Sequence, residues 1–360
     1  MNLQANQRPL MTSVSAETLT ASCPSLKLVQ SQSSLFTQVA TPQQANATSL
    51  VFANTDELLQ TAIKQNALGF IIPEKLLSQV QNAIDKSKSV WTTTNVHMSM
   101  AEVLKKFNGY TTVNSGIHPQ AAIDPTAKLG KNVTVEPFAV IGKNVSIGDN
   151  CIIGAQTVLE NDSSVGENTK ISAQVYLGFN CHIGKNCIIG PQNVFGSDGF
   201  GFVTDKQGTH HKIAQIGQVI IEDDCEFGAY CAIDRATITE TRIRKGSKFD
   251  NMIHIAHNCE IGENALITAG FIVAGSTKIG KQFTAAGSSG VVGHITIADN
   301  VVLTGRTGVV SSIDKPGVYG GFPQLNHKES LRILMSQQSL PKLRKQVAKI
   351  LKHLGINEEE

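Results

Sequence analysis

This sequence has no charge of one sign to spare: 31 lysines and arginines stand against 29 aspartates and glutamates, a formal net charge of +2. That argues against bulk nucleic-acid binding, which needs a concentrated basic surface. Aromatic residues are scarce at 5%. No apolar run approaches the roughly 18 residues of a membrane span. The first twenty residues, MNLQANQRPLMTSVSAETLT, lack the apolar segment of a secretory signal. They read as a flexible arm, and the chain reads as a cytoplasmic protein. Cys23, Cys151, Cys181, Cys187, Cys225, Cys231 and Cys259 are odd in number and contain no C-x-x-C. Neither a disulfide framework nor a zinc ribbon fits them, and small buried hydrophobes in a reducing compartment do.

What the chain does have is glycine, 31 residues of it, and a period of six. From Ile117 to Phe195 every sixth residue is bulky and apolar. After an interruption the pattern returns at Ile221, Phe227 and Ile233, slips at Thr239, and runs again from Ile243 to Val309. Of 30 hexad starts, 28 are Ile, Leu, Val or Phe. Six fits neither a helix nor simple alternation, but it fits a hexapeptide parallel β-helix. Three hexads make one triangular coil of 18 residues, with the apolar residue inside and glycine or asparagine at the turns. Ten coils at about 4.8 Å predict a prism on the order of 50 Å long.

Residues 201–218, GFVTDKQGTHHKIAQIGQ, break the hexads and carry His210 and His211. In a solenoid such an insertion loops outward, often on the binding face. Both a solvated loop and a substrate contact fit it. Residues 1–110 show no hexads. Helical spacing in TDELLQTAIKQNA with Thr55 as N-cap, a buried strand LGFII, a helix PEKLLSQVQNAIDKS, a strand SVWTTT and a helix SMAEVLKKF predict a small α/β domain. The β-helix is expected over 111–322. Residues 323–360 read as C-terminal helices with two apolar stripes, broken near Pro341. The second stripe carries Lys342, Arg344, Lys345, Lys349 and Lys352, which suits either packing in an oligomer or an acidic protein partner.

The two histidines of NMIHIAHNCEIGEN separate by register. His257 is third in its hexad, and one coil on lies Gly275. His294 follows two coils on, shifted by one position, roughly 10 Å away by the strand spacing. This strip suits acyl transfer: a histidine can deprotonate a nucleophile, and a glycine lets a thioester oxygen approach its N–H. Zinc, as in γ-class carbonic anhydrases, competes poorly, because no third histidine sits one coil from His257. No cofactor or metal is called for.

The segments DNMIHIAHNCEIG, AGSTKIG, GVVGHITIADNVVLTG, KPGVYGGFP, FGSDGFGF and AIDRATI resemble the UDP-3-O-acylglucosamine N-acyltransferases of lipid A biosynthesis, over about residues 110 to 325. The resemblance implies a homotrimer of left-handed β-helices with active sites between subunits. It implies a hydroxyacyl chain on acyl carrier protein as donor and UDP-3-O-(hydroxyacyl)-glucosamine as acceptor. His257 then matches the general base, Asp250 the carboxylate that orients it, Gly275 the oxyanion-hole N–H, and His294 a second active-site histidine. It leaves His254 as a turn histidine near the cleft. Phe52, Asn54, Asn251 and His211 are the candidates for substrate binding. The N-terminal domain is the candidate uridine-binding unit, although Glu57 stands where an aromatic is expected.

Overall fold

The computed structural model describes residues 13–31, 34–80, 83–108, 116–321 and 327–355. The chain divides into two compact units at Asn114 and Ser115.

In the second unit each hexad is a two-residue strand and a turn, and the strands stack in parallel at a register of 18. Ile141 pairs with Ile123 and Leu159, and Ile147 with Leu129 and Val165. Three sheets result, of ten, ten and nine strands among the described residues. The first face holds Lys248–Phe249, the second His254–Ile255 and the third Glu260–Ile261. This is the expected left-handed hexapeptide β-helix, and the hexad residues line one continuous core from Val133 to Ile313. Burying each such side chain is worth about 1.5–3 kcal/mol. The turns repeat a left-handed residue at Asn144, Asn150, Asn168, Asn186, Asn258 and Asn264, with φ between 56° and 60°. Asparagine tolerates that conformation far better than a β-branched residue does. All seven cysteines are buried free thiols.

The register departs from 18 twice, at one corner. Ile183 and Phe195 pair with Ile221 and Ile233, 38 positions on, so twenty extra residues leave the prism between the second and third faces. They form an antiparallel hairpin, Phe202–Thr204 against His210–Lys212. Ile233 pairs with Ile255, 22 positions on, so four more residues bulge at the same corner one coil later. The slip at Thr239 was the sign of this second insertion.

The first unit carries a five-stranded sheet in which Gln38–Ala40, Ser49–Phe52, Gly69–Pro73 and Ser89–Thr93 run parallel. Lys27–Gln30 adds an antiparallel edge. Thr55 caps the helix Asp56–Lys64, its hydroxyl accepting from Leu58 N, as its spacing predicts. Two expectations need correction. Residues from Val14 onward are not a flexible arm: a short strand is followed by the helix Ala16–Ser22, pinned by the fully buried Leu19. The first twelve residues lie outside the described ones. The helix expected from Pro73 to Ser87 is a 3-10 turn, Glu74–Leu76, and one α-turn, Leu77–Val80.

At the C-terminus a single helix, His327–Leu354, runs through Pro341. A proline removes one intrahelical hydrogen bond and crowds the carbonyl four residues back, yet the helix does not end there. Leu340, Leu343, Val347, Ile350 and Leu354 recur at spacings of three and four, and each is exposed. No described helix is long and apolar enough to cross a membrane.

Candidate active site

His257 sits in the turn between the second and third faces, where both insertions emerge. Its Nδ1 lies 3.1 Å from Asn258 Oδ1. An amide oxygen only accepts, so Nδ1 carries the proton and Nε2 is left with its lone pair. Asn258 is itself fixed. Thr237 N donates to its Oδ1 at 3.1 Å, and its own N–H donates to Thr241 Oγ1 at 2.9 Å. The other side of the ring meets Gly275: a Cβ there would stand 2.7 Å from His257 Cε1 and Nε2. On the hairpin side, a Cβ at Gly199 would stand 2.5 Å from His257 Cβ. Two glycines and an asparagine therefore hold this imidazole.

The N–H of Gly275 is the second element. At the same hexad position the amide is capped by a side chain in some coils and left open in others, as at Ala173 and Gly287. Lys131, Lys185 and Lys281 donate to Asp149, Asp223 and Asp299, and Ala269 donates to Asp250. Gly275 N–H meets no protein acceptor among the described residues, and Gly293, one coil on, has no side chain to offer one. A free amide donor thus lies beside a histidine lone pair. That arrangement can take a proton and stabilise an oxyanion.

The remaining expected residues fall in several places. His294 is exposed, one position out of register with His257, and its N donates to Gly275 O at 3.0 Å. Asp250 and Asn251 lie at the previous corner, a whole face away from His257 in the same chain. There Asp250 accepts from Asn251 Nδ2 at 2.8 Å and from Ala269 N, while Asn251 Oδ1 accepts from Ala229 N at 2.7 Å. Both act as corner caps within one chain. His211 is held by Asp205 Oδ2 at 2.7 Å inside the hairpin. Phe52 and Asn54 lie at the carboxyl end of a central parallel strand, Phe52 partly packed in the domain core and Asn54 exposed.

The expectation of His254 as a turn histidine near the cleft needs correction. His254 lies on a strand rather than in a turn, with Nε2 3.1 Å from Asp234 Oδ2, and Ser197 Oγ donates to Asp234 Oδ1 at 2.9 Å. Its hydrogen bond to the nearly buried Asp234 raises its pKa above the ordinary value near 6.5, against the lowering effect of burial. A histidine whose folded pKa is raised contributes its stability below the unfolded pKa and loses it as pH climbs through the folded one. The pair should therefore hold below the ordinary histidine value and weaken as pH climbs through the raised one. NMR titration should place the His254 midpoint above that of the same histidine in an Asp234→Asn variant; equal midpoints would discard the pairing.

Cysteine chemistry is poorly served at this corner. Cys259 follows Asn258, but burial pushes its thiol up to about 11, and Sγ donates to Ala274 O at 3.2 Å. Such a thiol is a poor nucleophile near neutral pH.

Comparison with known proteins follows this geometry. The chain is 52% identical over 139 residues to UDP-3-O-acylglucosamine N-acyltransferase 2 of Sulfurimonas denitrificans, covering 38% of this chain and 44% of that protein. It is 38% identical over 237 residues to UDP-3-O-acylglucosamine N-acyltransferase of Bordetella pertussis, covering 65% of each. The chain is similar to the UDP-3-O-acylglucosamine N-acyltransferases. The match spans less than half the length of the Sulfurimonas relative and under two thirds of the Bordetella one. A family model described as the GMPPB C-terminal domain matches residues 114–199. Among solved structures, LpxA from Acinetobacter baumannii is 24% identical, covering 57% of this chain and 71% of that one, with a TM-score of 0.45. The UDP-N-acetylglucosamine acyltransferase from Campylobacter jejuni is 18% identical, covering 68% and 92%, with a TM-score of 0.40.

Proposed function

We propose that this protein is an acyltransferase of lipid A biosynthesis. It moves a (3-hydroxy)acyl chain from acyl carrier protein to the 2-amino group of UDP-3-O-(3-hydroxyacyl)-glucosamine. The observation that carries the reading is the uncapped N–H of Gly275 beside His257 Nε2. The names of the similar curated proteins support the substrate class.

In this mechanism the amine lone pair attacks the thioester carbonyl while His257 Nε2 takes a proton from the nitrogen. The carbonyl oxygen, now negative, is held by Gly275 N–H. Collapse of the tetrahedral intermediate forms the amide and breaks the C–S bond. The imidazolium returns its proton to the departing sulfur, so carrier thiol and neutral His257 are regenerated. His294, two coils along the same corner, is the second histidine of the cleft. Phe52 and Asn54 are offered to uridine, since ligands of parallel α/β sheets bind at the carboxyl ends of the strands. Asn251 and His211 are assigned to acceptor contacts.

Within one chain Asp250 cannot orient His257, so that role requires a second copy and fits a homotrimer with clefts between subunits. The exposed apolar seam of the C-terminal helix supports the trimer, because spacings of three and four make a coiled-coil stripe that needs partners. Incubation with acyl carrier proteins of several chain lengths, and with UDP-3-O-(3-hydroxyacyl)-glucosamine or UDP-N-acetylglucosamine as acceptor, read by mass spectrometry, tests the activity. An N-acylated product is expected; O-acylated UDP-N-acetylglucosamine alone, or no product, overturns the reading.

The basic side chains Lys342, Arg344, Lys345, Lys349 and Lys352 on that helix are proposed to steer the acidic carrier protein. Steering between exposed charges is screened beyond about 8 Å at physiological ionic strength. Rates with carrier-bound chains should fall steeply as salt rises. Truncation after Pro341 should raise the carrier KM and spare kcat, with little effect on a small acyl-pantetheine donor. Equal use of both donors by the truncated trimer would leave the helix a packing element only.

A further inference from the structure

Arg235 is the largest charged side chain in the interior, 1% exposed, and none of its hydrogen-bond partners is a carboxylate. Nε donates to Gly196 O at 2.8 Å, Nη1 to Gly217 O at 3.1 Å and Nη2 to Phe179 O at 3.2 Å. The guanidinium carbon also stands 3.7 Å from the centroid of the Phe179 ring. Burying a cation without an anion is costly, and a fold that only needed to close a corner has cheaper ways to do so. The acceptors show what the cation is for. Gly196 and Gly217 are the two stems of the twenty-residue insertion, and a rigid fork of donors holds both at once, which a lysine cannot do.

Three residues beyond Gly196 the chain reaches Gly199, whose backbone lies against the Cβ of His257. Arg235 also opens the second, four-residue insertion, whose Thr237 N–H fixes Asn258 Oδ1, the partner of His257 Nδ1. The two insertions are tied to each other as well, through Thr237 Oγ1 donating to the buried Gln215 Oε1 at 3.0 Å. Two of the three groups that hold His257, Gly199 and Asn258, therefore run back to one guanidinium.

We propose that Arg235 is a positioning residue that fastens the two insertions of the prism and thereby sets His257 against Gly275. It touches no reacting atom. The proposal rests on the acyltransferase reading for its kinetic arm only.

Arg235→Met and Arg235→Lys, in the full chain, are compared by hydrogen exchange and by steady-state kinetics. In the Met variant, exchange over residues 199–217 should rise at least tenfold while strands of the neighbouring coils, 260–291, keep their protection. A displacement of about 1 Å at the base costs on the order of 10²-fold, so kcat should fall by that factor while KM stays within about threefold. Arg235→Lys, which keeps the charge but loses the fork, should lie between, and it decides the matter if the Met variant does not fold. The proposal is overturned by kcat within about threefold of wild type in the folded variants. It is also overturned by a lost kcat with unchanged hairpin exchange, or by loosening of the whole prism. If the wild-type protein transfers no acyl group, the functional reading fails on that result alone, and hairpin exchange still decides whether Arg235 fastens the insertions.

Discussion

His257→Ala is expected to fold as the wild type does and to lose nearly all turnover. The side chain is half-buried in a turn, packed on Gly199, Gly275 and Asn258 rather than in the prism core, so its removal leaves the stacked hexads intact. Loss of a general base costs about 10²–10⁴-fold. The fall should appear in kcat, because the imidazole acts on the proton in flight and not on either substrate's binding. Asp250→Asn should lose less: the amide oxygen can still cap Ala269 N, and what is removed is the charge and the bond from Asn251 Nδ2. Because Asp250 and His257 stand at different corners of one chain, the proposed trimer makes a further demand: mixing the two inactive or impaired variants should restore part of the activity. Turnover of His257→Ala within about threefold of wild type, measured on folded protein, would falsify the assignment of the base.

The prism was legible because its signal is repeated. Each coil needs three inward apolar residues at a fixed interval, and 28 of 30 hexad starts keep to it, so a single slip could not hide the period. The N-terminal unit offered no such redundancy. Thr55 and its helix were readable from a cap and a spacing, but the strand and helix from Val14 to Ser22 are held by tertiary burial of Leu19, which local pattern does not show. The reverse error occurred after Pro73, where helical spacing was present and the described residues hold a 3-10 turn and one α-turn. Near Pro341 the rule that proline ends a helix was outweighed, and one helix of 28 residues resulted.

At the candidate site, coil arithmetic brought Gly275 to His257, since adjacent coils superimpose positions 18 apart. It did not reveal what holds the ring. Asn258, Arg235 and Gly199 were given no role of their own in the sequence. Their roles depend on the two insertions meeting at one corner. Insertions add length without period, so register was lost where the site is built. The break at residues 201–218 and the slip at Thr239 were its traces in the sequence. The contact between Asp234 and His254 was missed for a related reason: the four-residue bulge stretches the interval from 18 to 22, so that His254 pairs with Ala232 and Asp234 reaches it from two residues further on.

Gly275→Ala should be nearly as damaging as loss of the histidine, although it adds one methyl group far from any core. Gly275 has no need of a left-handed backbone, so the alanine is tolerated by the chain itself and the melting temperature should barely move. The new Cβ would stand 2.7 Å from His257 Cε1 and Nε2, closer than real contacts allow, and 3.1 Å from Nδ1. The ring has little room to yield, because Gly199 backs its Cβ and Asn258 holds Nδ1. A forced shift of about 1 Å at the base is worth on the order of 10²-fold in rate, and the methyl also narrows the approach to the N–H meant for the oxyanion. The two substitutions should not add. If Gly275→Ala acts through the ring, then in a His257→Ala background it costs little more, since residues that work as a unit are lost together. Losses that multiply in the double variant would mean that Gly275 serves the oxyanion independently of His257, with the ring unmoved. No loss from Gly275→Ala alone would show that the close fit of Gly275 against His257 does not set the position of the base, since alanine keeps the N–H.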